Sequence, residues 1–455
     1  MIQLCPLKFT ASCWLVAFAI SAKASEPDLA TLARSEFERA LSYIENTQLT
    51  LFATTKPVST TAILGKLQER IEAEADTAPD RQSIDWQLPV MRGLLSETLE
   101  TFNDQYANYI SPQQLARYNE RRNGNFVGVG LKFRVVANNY PIVIGTLLGG
   151  PLSKSNVLPG DRLISADGQD LRNLSSKEIS KLLKGPAGSQ VTITLSRQSN
   201  STHSVLASRR SVDLHYARSE TLQNDIGYIK ISRFGSRTHS RVEGLLKNLL
   251  HRKVQGIILD LRDNPGGSTR AARAITSLFS HADTIYCERY KNGSIRNIPR
   301  YGNHQTDKPL IVLVNGNSMS SAEIVAGALQ AHKRATIIGS PTFGKGLVQK
   351  VAHLKDPLGG AVRTTIAMFG TPDHQPIHGA GIVPDIYIES AADFMFRETG
   401  SLNISDQARL LQRQLREQSV RQTHPVSAAE LITATDIQLA RALVEIRKLA
   451  SETNG

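Results

Sequence analysis

Gly256-Ile257-Ile258-Leu259-Asp260-Leu261-Arg262-Asp263-Asn264-Pro265-Gly266-Gly267 is the stretch from which the fold can be read. Its first half is a short apolar run closed by a turn signal, the mark of a strand buried on both faces. Leu310-Ile311-Val312-Leu313-Val314 repeats the pattern, and Ile226 to Ile231 is a third strand. Helical segments such as Val242 to Leu250 lie between them. Apolar strands alternating with helices predict an α/β core covered on both sheet faces, over residues 213–390.

Outward from this core the chain divides by periodicity. It has 455 residues, 40% hydrophobic and 21% charged, which suits about two to four globular domains. The formal net charge is +12, but the lysines and arginines are scattered, with no basic block and no aromatic-interleaved basic stretch. The charge is therefore read as surface chemistry, and no nucleic-acid partner is expected. Residues 1–24 have the layout of a secretory signal peptide: Lys8, the apolar run Phe9 to Ala22, then Ala22-Lys23-Ala24 before Ser25. The run is short of the roughly 20 residues a spanning helix needs. A single leading basic residue keeps an uncleaved anchor open, so a periplasmic location is expected with inner-membrane association undecided. Cys5 and Cys13 fall in this segment, and Cys13 lacks the pattern of a lipoprotein signal. Cys287 is left alone, so the fold must be stable without an internal disulfide.

Residues 25–123 read as helical, with Phe37, Ala40, Leu41 and Ile44 on one face and Leu94, Leu95, Leu99 and Phe102 on another. Packing or dimerisation is their expected role. Residues 391–455 are helical again, as in Ile437 to Leu449, and are expected to pack on the core or on a partner subunit.

Residues 124–212 change to short strands punctuated by Gly and Pro. Phe126-Val127-Gly128-Val129-Gly130-Leu131 reads as a strand opened by glycines. Leu158 to Gly168 reads as a turn, a strand and a tight turn. Ser176 to Leu183 is a short helix, followed by Gly185-Pro186-Ala187-Gly188 and the alternating strand Val191 to Leu195. In this order the signals resemble a PDZ domain. The resemblance implies that N–H groups of Gly128, Val129, Gly130 and Leu131 hold a peptide's terminal carboxylate while the peptide adds a strand to the sheet edge. Glycine suits that task because it lets the backbone approach an anion closely. Pro151 to Asn156 departs from the alanine-rich helix start usual in the family.

Chemistry is concentrated after the strand Leu310 to Val314. Asn315-Gly316-Asn317-Ser318-Met319-Ser320-Ser321-Ala322-Glu323 runs into a helix. Serines at a helix start are usually caps. Thr342-Phe343-Gly344-Lys345-Gly346-Leu347-Val348-Gln349 places a lysine between two glycines, which lets the backbone bend the amine inward. A serine hydroxyl needs a base to become a nucleophile, and a lysine serves only when burial keeps it neutral. Lys345 as base for Ser320 is thus a chemically coherent pair. The Ser321 N–H and an N–H of the Gly266-Gly267 turn are candidate oxyanion donors, although a tight strand-to-helix link would also favour these glycines. The 11 histidines show no His-Glu-x-x-His or similar spacing, so no metal site and no cofactor are expected. Nothing around Cys287 supports a thiol nucleophile. Asp260 and Asp263 are read as strand-end hydrogen-bonding groups in preference to paired acids.

The four motifs Asp260 to Gly267, Ser318 to Glu323, Phe343 to Gln349 and Gly379-Ala380-Gly381-Ile382-Val383-Pro384-Asp385 resemble those of carboxyl-terminal processing peptidases, also called tail-specific proteases. The likeness covers the PDZ stretch, nearly all of 213–390 and the segment Phe102 to Tyr109. It implies a ClpP/crotonase-like α/β protease core with a PDZ domain and helical terminal regions. It implies that Ser320 is the nucleophile, since the lysine follows 25 positions later (345 − 25 = 320), and that Gln349 orients Lys345. Met319, Ser321 and Ala322 depart from the usual serine alternation. The implied substrates are proteins with exposed C-terminal tails, with a homo-oligomer and an adaptor protein both open. Many members move the PDZ domain to switch activity, with a sensor at the position of Lys184. A PDZ scaffold that binds tails without cutting is the alternative reading. A trypsin-like site is disfavoured because no Gly-Asp-Ser-Gly is present.

Overall fold

The computed structural model describes residues 28–48, 59–78, 80, 83–147, 150–197, 201–223, 225–389 and 436–454. The expected signal segment and residues 391–435 lie outside the described residues. A six-stranded sheet runs in the order Ala217–Leu222, Ile226–Ile231, Gly256–Asp260, Leu310–Val314, Thr336–Gly339 and Ile386–Tyr387. The first pair is antiparallel and every other pair is parallel. The strands follow chain order across the sheet, so right-handed crossovers place all their helices on one face. Thr238–His251, Thr269–Phe279 and Ser321–Ala331 are those helices, and their apolar sides join one large core with Phe234, Ile257, Leu259 and Val312.

That arrangement leaves the second sheet face bare until the last helix covers it. Ile437–Asn454 lays the fully buried Ala442 and Ile446 against Ile258, Ile311, Leu313 and Ile338. The approach is close: a Cβ added to Gly256 would stand 2.7 Å from Ile446 Cγ1. Cover on both faces explains why Gly256–Asp260 and Leu310–Val314 are buried at every position. At the front of this helix Arg262 donates to Asp436 at 2.6 and 2.9 Å and to Asp260 at 2.7 Å, tying the helix to the end of the central strand. No helix among the described residues is long and apolar enough to cross a membrane.

A second sheet joins Asn108–Ile110, Ala361–Gly370, Thr284–Tyr290 and Ile295–Pro299, with Leu347–His353 also paired to Ala361–Gly370. The helices Leu29–Thr47, Thr60–Ala75 and Gln87–Glu100 pack beside it. Phe37, Leu41, Ile44, Leu94, Leu95 and Leu99 form their own core with Leu354, Leu358 and Val362. The apolar faces read from periodicity therefore do pack, but against a sheet edge of the core.

The PDZ sheet comprises Leu131–Arg134, Ile142–Thr146, Arg162–Ala166, Gln190–Ser196 and Thr202–Ser208, with the short Gln169–Asp170 also paired to Arg162–Ala166 and the helix Ser176–Leu183 closing its core at Ile179 and Leu183. The expected single strand from Phe126 to Leu131 is split in two. Asn125–Gly128 pairs with Arg210–Asp213 as a two-stranded stem where the chain enters and leaves the domain. The break falls where Gly130 takes φ +72°, a left-handed conformation that ends an extended run.

Candidate active site

The parallel strands end on one side, where loops after Asp260, Val314 and Gly339 converge, the usual place for a site in such a sheet. Ser320 stands at the N-cap of Ser321–Ala331 with φ 57° and ψ −115°. A serine held there stores strain on the order of 1–3 kcal/mol, and surrounding contacts must over-determine it. Those contacts are present. Met319 N–H donates to Asn264 O at 3.0 Å, and Ser318 Oγ donates to Leu261 O at 2.8 Å. A Cβ on Gly266 (φ +88°) would lie 2.8 Å from both Met319 O and Ser320 Cβ, so only glycine allows this turn against the serine. A Cβ on Gly267 would lie 2.1 Å from Phe234 O.

Glu323 joins the serine to the lysine loop. Its carboxylate, fully buried, accepts from Ser320 N–H (2.7 Å), Thr342 Oγ1 (2.6 Å), Gly344 N–H (2.6 Å) and Lys345 N–H (2.9 Å). Burial pushes this carboxyl up, to about 7, against the four hydrogen bonds that pull it down. All four partners donate, so the ionised form is the one that satisfies the arrangement. Glycines again permit the contacts. A Cβ on Gly346 would sit 2.3 Å from His378 N, and one on Gly381 would sit 2.5 Å from Thr342 O. The Gly379 to Asp385 motif is thus the floor under the lysine loop.

Lys345 is turned inward, and burial first, then the Arg363 charge, lower its amine to about 8; Asp104 and Glu323 pull the other way. Its Nζ lies 4.2 Å from the centroid of the Tyr106 ring. Among the described residues no hydrogen bond joins this amine to Ser320 Oγ or to Gln349. Gln349 Nε2 instead faces Thr365 Oγ1 at 3.4 Å. The two loops are thus brought to one place by their backbones, while the amine rests on an aromatic face.

Of the expected oxyanion donors, the Gly266 N–H already donates to Asn264 Oδ1 at 2.9 Å. The carbonyl of Gly266 and the N–H of Ser268 make the bridge to Phe234, which leaves the Gly267 N–H out of it. Ser321 is the first helical residue, so its N–H has no partner within the helix. Asp260 is buried against Arg262, Tyr228 and Lys230, and Asp263 accepts from Asn315 and Asn317. Cys287 is buried, and burial pushes its thiol up, the wrong direction for a nucleophile.

Similar proteins place the chain in a family. Residues 225–388 match peptidase family S41, and residues 119–196 match the PDZ domain. The carboxy-terminal-processing protease of Bartonella bacilliformis is 33% identical over 334 residues, 72% of this chain and 75% of its own length. This chain belongs to the carboxyl-terminal-processing protease family. A second relative, the carboxyl-terminal-processing protease of Synechocystis, is 31% identical over 70% of this chain and 75% of its own. Among solved structures, a photosystem II D1 C-terminal processing protease is 25% identical, with a TM-score of 0.47 over 78% of this chain and 93% of that one. The protein is accordingly a serine-type peptidase with a PDZ domain, acting on peptide or protein substrates.

In this protease the loop Gly128 to Leu131 lies beside the PDZ helix, and Gly128 bridges to Lys184 at the helix end. Leu131 opens the strand Leu131–Arg134, and Val129 is buried in the PDZ core. Lys184 pairs with Glu120 on the helix Pro112–Asn123 and lies 4.9 Å from the centroid of the Phe126 ring, so it ties the end of the PDZ helix to the helix that precedes the Asn125–Gly128 strand. Glu323 was quoted in a motif but given no role, although a glutamate three residues after a helix-capping serine is a legible capping-box signal. Tyr106, Asp104 and Arg363 carry no such signal, because they reach the lysine from distant segments.

Proposed function

We propose that this protease cuts protein chains delivered by their C-terminal tails, with Ser320 as nucleophile and Lys345 as general base. The observation that carries the reading is the Glu323 carboxylate, which positions a strained serine and a buried lysine of lowered pKa from one point. In its neutral form the Lys345 amine takes the Ser320 proton as Oγ attacks the scissile carbonyl. The N–H groups of Gly267 and Ser321 receive the oxyanion. Lys345 then gives the proton to the leaving amine, the acyl-enzyme forms, and water, deprotonated by the same amine, releases the second product. Gln349 would orient the amine once it leaves Tyr106.

Tail recognition falls to Gly128, Val129, Gly130 and Leu131, where a terminal carboxylate can meet converging N–H groups and the peptide can extend the edge of Leu131–Arg134. The signal-like layout of residues 1–24 supports export, with the periplasm as the working compartment. The direct test is a reporter protein with a free C-terminal tail. Ser320→Ala and Lys345→Ala, made separately, should each abolish cleavage while tail binding persists. Cleavage surviving either substitution overturns the assignment.

A further inference from the structure

We propose that His281, His304 and Asp307 form a binding site for a divalent transition-metal ion, with zinc as the ion that fits best. None of the three belongs to the catalytic machinery. His281 lies between Thr269–Phe279 and Thr284–Tyr290, and His304 and Asp307 lie in the loop before Leu310–Val314. They therefore sit at the opposite end of that strand from Ser320.

The distances suit the ion. Asp307 Oδ1 is 3.1 Å from His304 Nε2 and 3.5 Å from His281 Nε2, and the three ligand atoms all lie within 4.8 Å of one another. Bonds of about 2.0–2.1 Å in a tetrahedron place neighbouring ligands about 3.3 Å apart. The two imidazoles are stacked, with centroids 3.6 Å apart and planes at 25°. The exposed His281 ring needs only to splay away from its neighbour for both lone pairs to meet one point.

Two further observations show a prepared site. His304 Nε2 is buried and makes no hydrogen bond; the polar atom it faces is Asp307 Oδ1 at 3.1 Å, and a metal between the two would satisfy both. The loops are also braced together. The Arg334 guanidinium donates to Phe279 O (2.6 Å), Thr306 O (3.0 Å) and Lys308 O (2.8 Å), pinning the segments that carry all three ligands. Three carbonyls share its charge, which also reaches His304 and Asp307. Two imidazoles and one carboxylate form a borderline donor set that suits Zn²⁺, with water completing the tetrahedron on the open side. Spacing along the chain hid this set, since its members are 23 and 3 residues apart and meet only in the fold.

The test is titration of Zn²⁺ into chelator-stripped protein near neutral pH, beside the double variant His281→Ala/His304→Ala and the single variant Asp307→Asn. Wild type should bind one Zn²⁺ that the double variant does not, with a rise in Tm of a few degrees on saturation. Asp307→Asn should weaken binding by at least about tenfold. Co²⁺ in place of zinc should show the visible absorption of a tetrahedral ion in wild type alone. Equal zinc stoichiometry and affinity in wild type and the double variant would overturn the proposal, as would the absence of binding to wild type. His281 and Asp307 are exposed, so Asp307→Asn and His281→Ala alone keep the test valid should the double variant misfold.

Discussion

As the proposed general base, Lys345 would act only while its amine is neutral, and everything that surrounds it bears on that state. Burial and the Arg363 charge favour the neutral form; Asp104, Glu323 and the Tyr106 ring favour the ammonium. With a pKa of about 8, roughly a tenth of the amine is neutral at pH 7. The rate of tail cleavage should therefore rise with pH along a limb centred near 8. Tyr106→Leu removes the ring face and should move that limb about 0.5–1 pH unit lower, whereas Tyr106→Phe should leave it in place. A pH profile of kcat/KM for the three proteins checks this. Stability carries the matching sign. The unfolded lysine holds a proton that the native one lacks between about pH 8 and the ordinary lysine value of 10.5, so stability should rise with pH across that window. Lys345→Met should flatten that rise in a series of thermal melts.

The helix Ser321–Ala331 and the lysine loop act as one element because Glu323 receives donors from both. Glu323→Gln keeps the shape but replaces one acceptor oxygen by a donor facing N–H groups. The loops should part by a fraction of an ångström, and kcat should fall on the order of 10²-fold with KM little changed. Steady-state kinetics on a tailed substrate separates the two parameters. This carboxyl is raised by burial to about 7, from the 4.5 of a free glutamate. Its contribution to stability is therefore full below about 4.5 and lost as pH rises through about 7. Ionisation brings the four-donor arrangement into use at some expense in stability.

At the scale of the whole molecule, two attachments stand outside the catalytic core. The helix Ile437–Asn454 covers a sheet face that the crossover geometry leaves open, and Ile446 is its fully buried centre. Ile446→Ala should destabilise the protein by about 2–4 kcal/mol, read as a lower midpoint in urea. The PDZ domain is held by its two-stranded stem and by the Lys184–Glu120 pair. If tail binding signals through that pair, Lys184→Ala should change the stimulation of cleavage by an added tail peptide while leaving the affinity for the peptide within about threefold. Unchanged stimulation would show that the link is only structural.

The order of elements and the candidate residues now brought to one site were legible in the amino-acid sequence, because both depend on local features. Periodicity marks strands buried on two faces, and Gly-Gly and Gly-Lys-Gly mark turns that no other residue can make. The motif order pointed to Ser320 and Lys345. Local pattern could not reveal which remote segments meet. Tyr106 reaches Lys345 from 239 positions away (345 − 106), and Gly130 divides one apparent strand between two sheets. Residues that touch across such separations leave no spacing to read, since chain closure places them and not propensity. Only the folded backbone decided that the lysine amine lies on an aromatic ring, that one glutamate spans the serine and lysine loops, and that two histidines and an aspartate meet at the far end of the sheet.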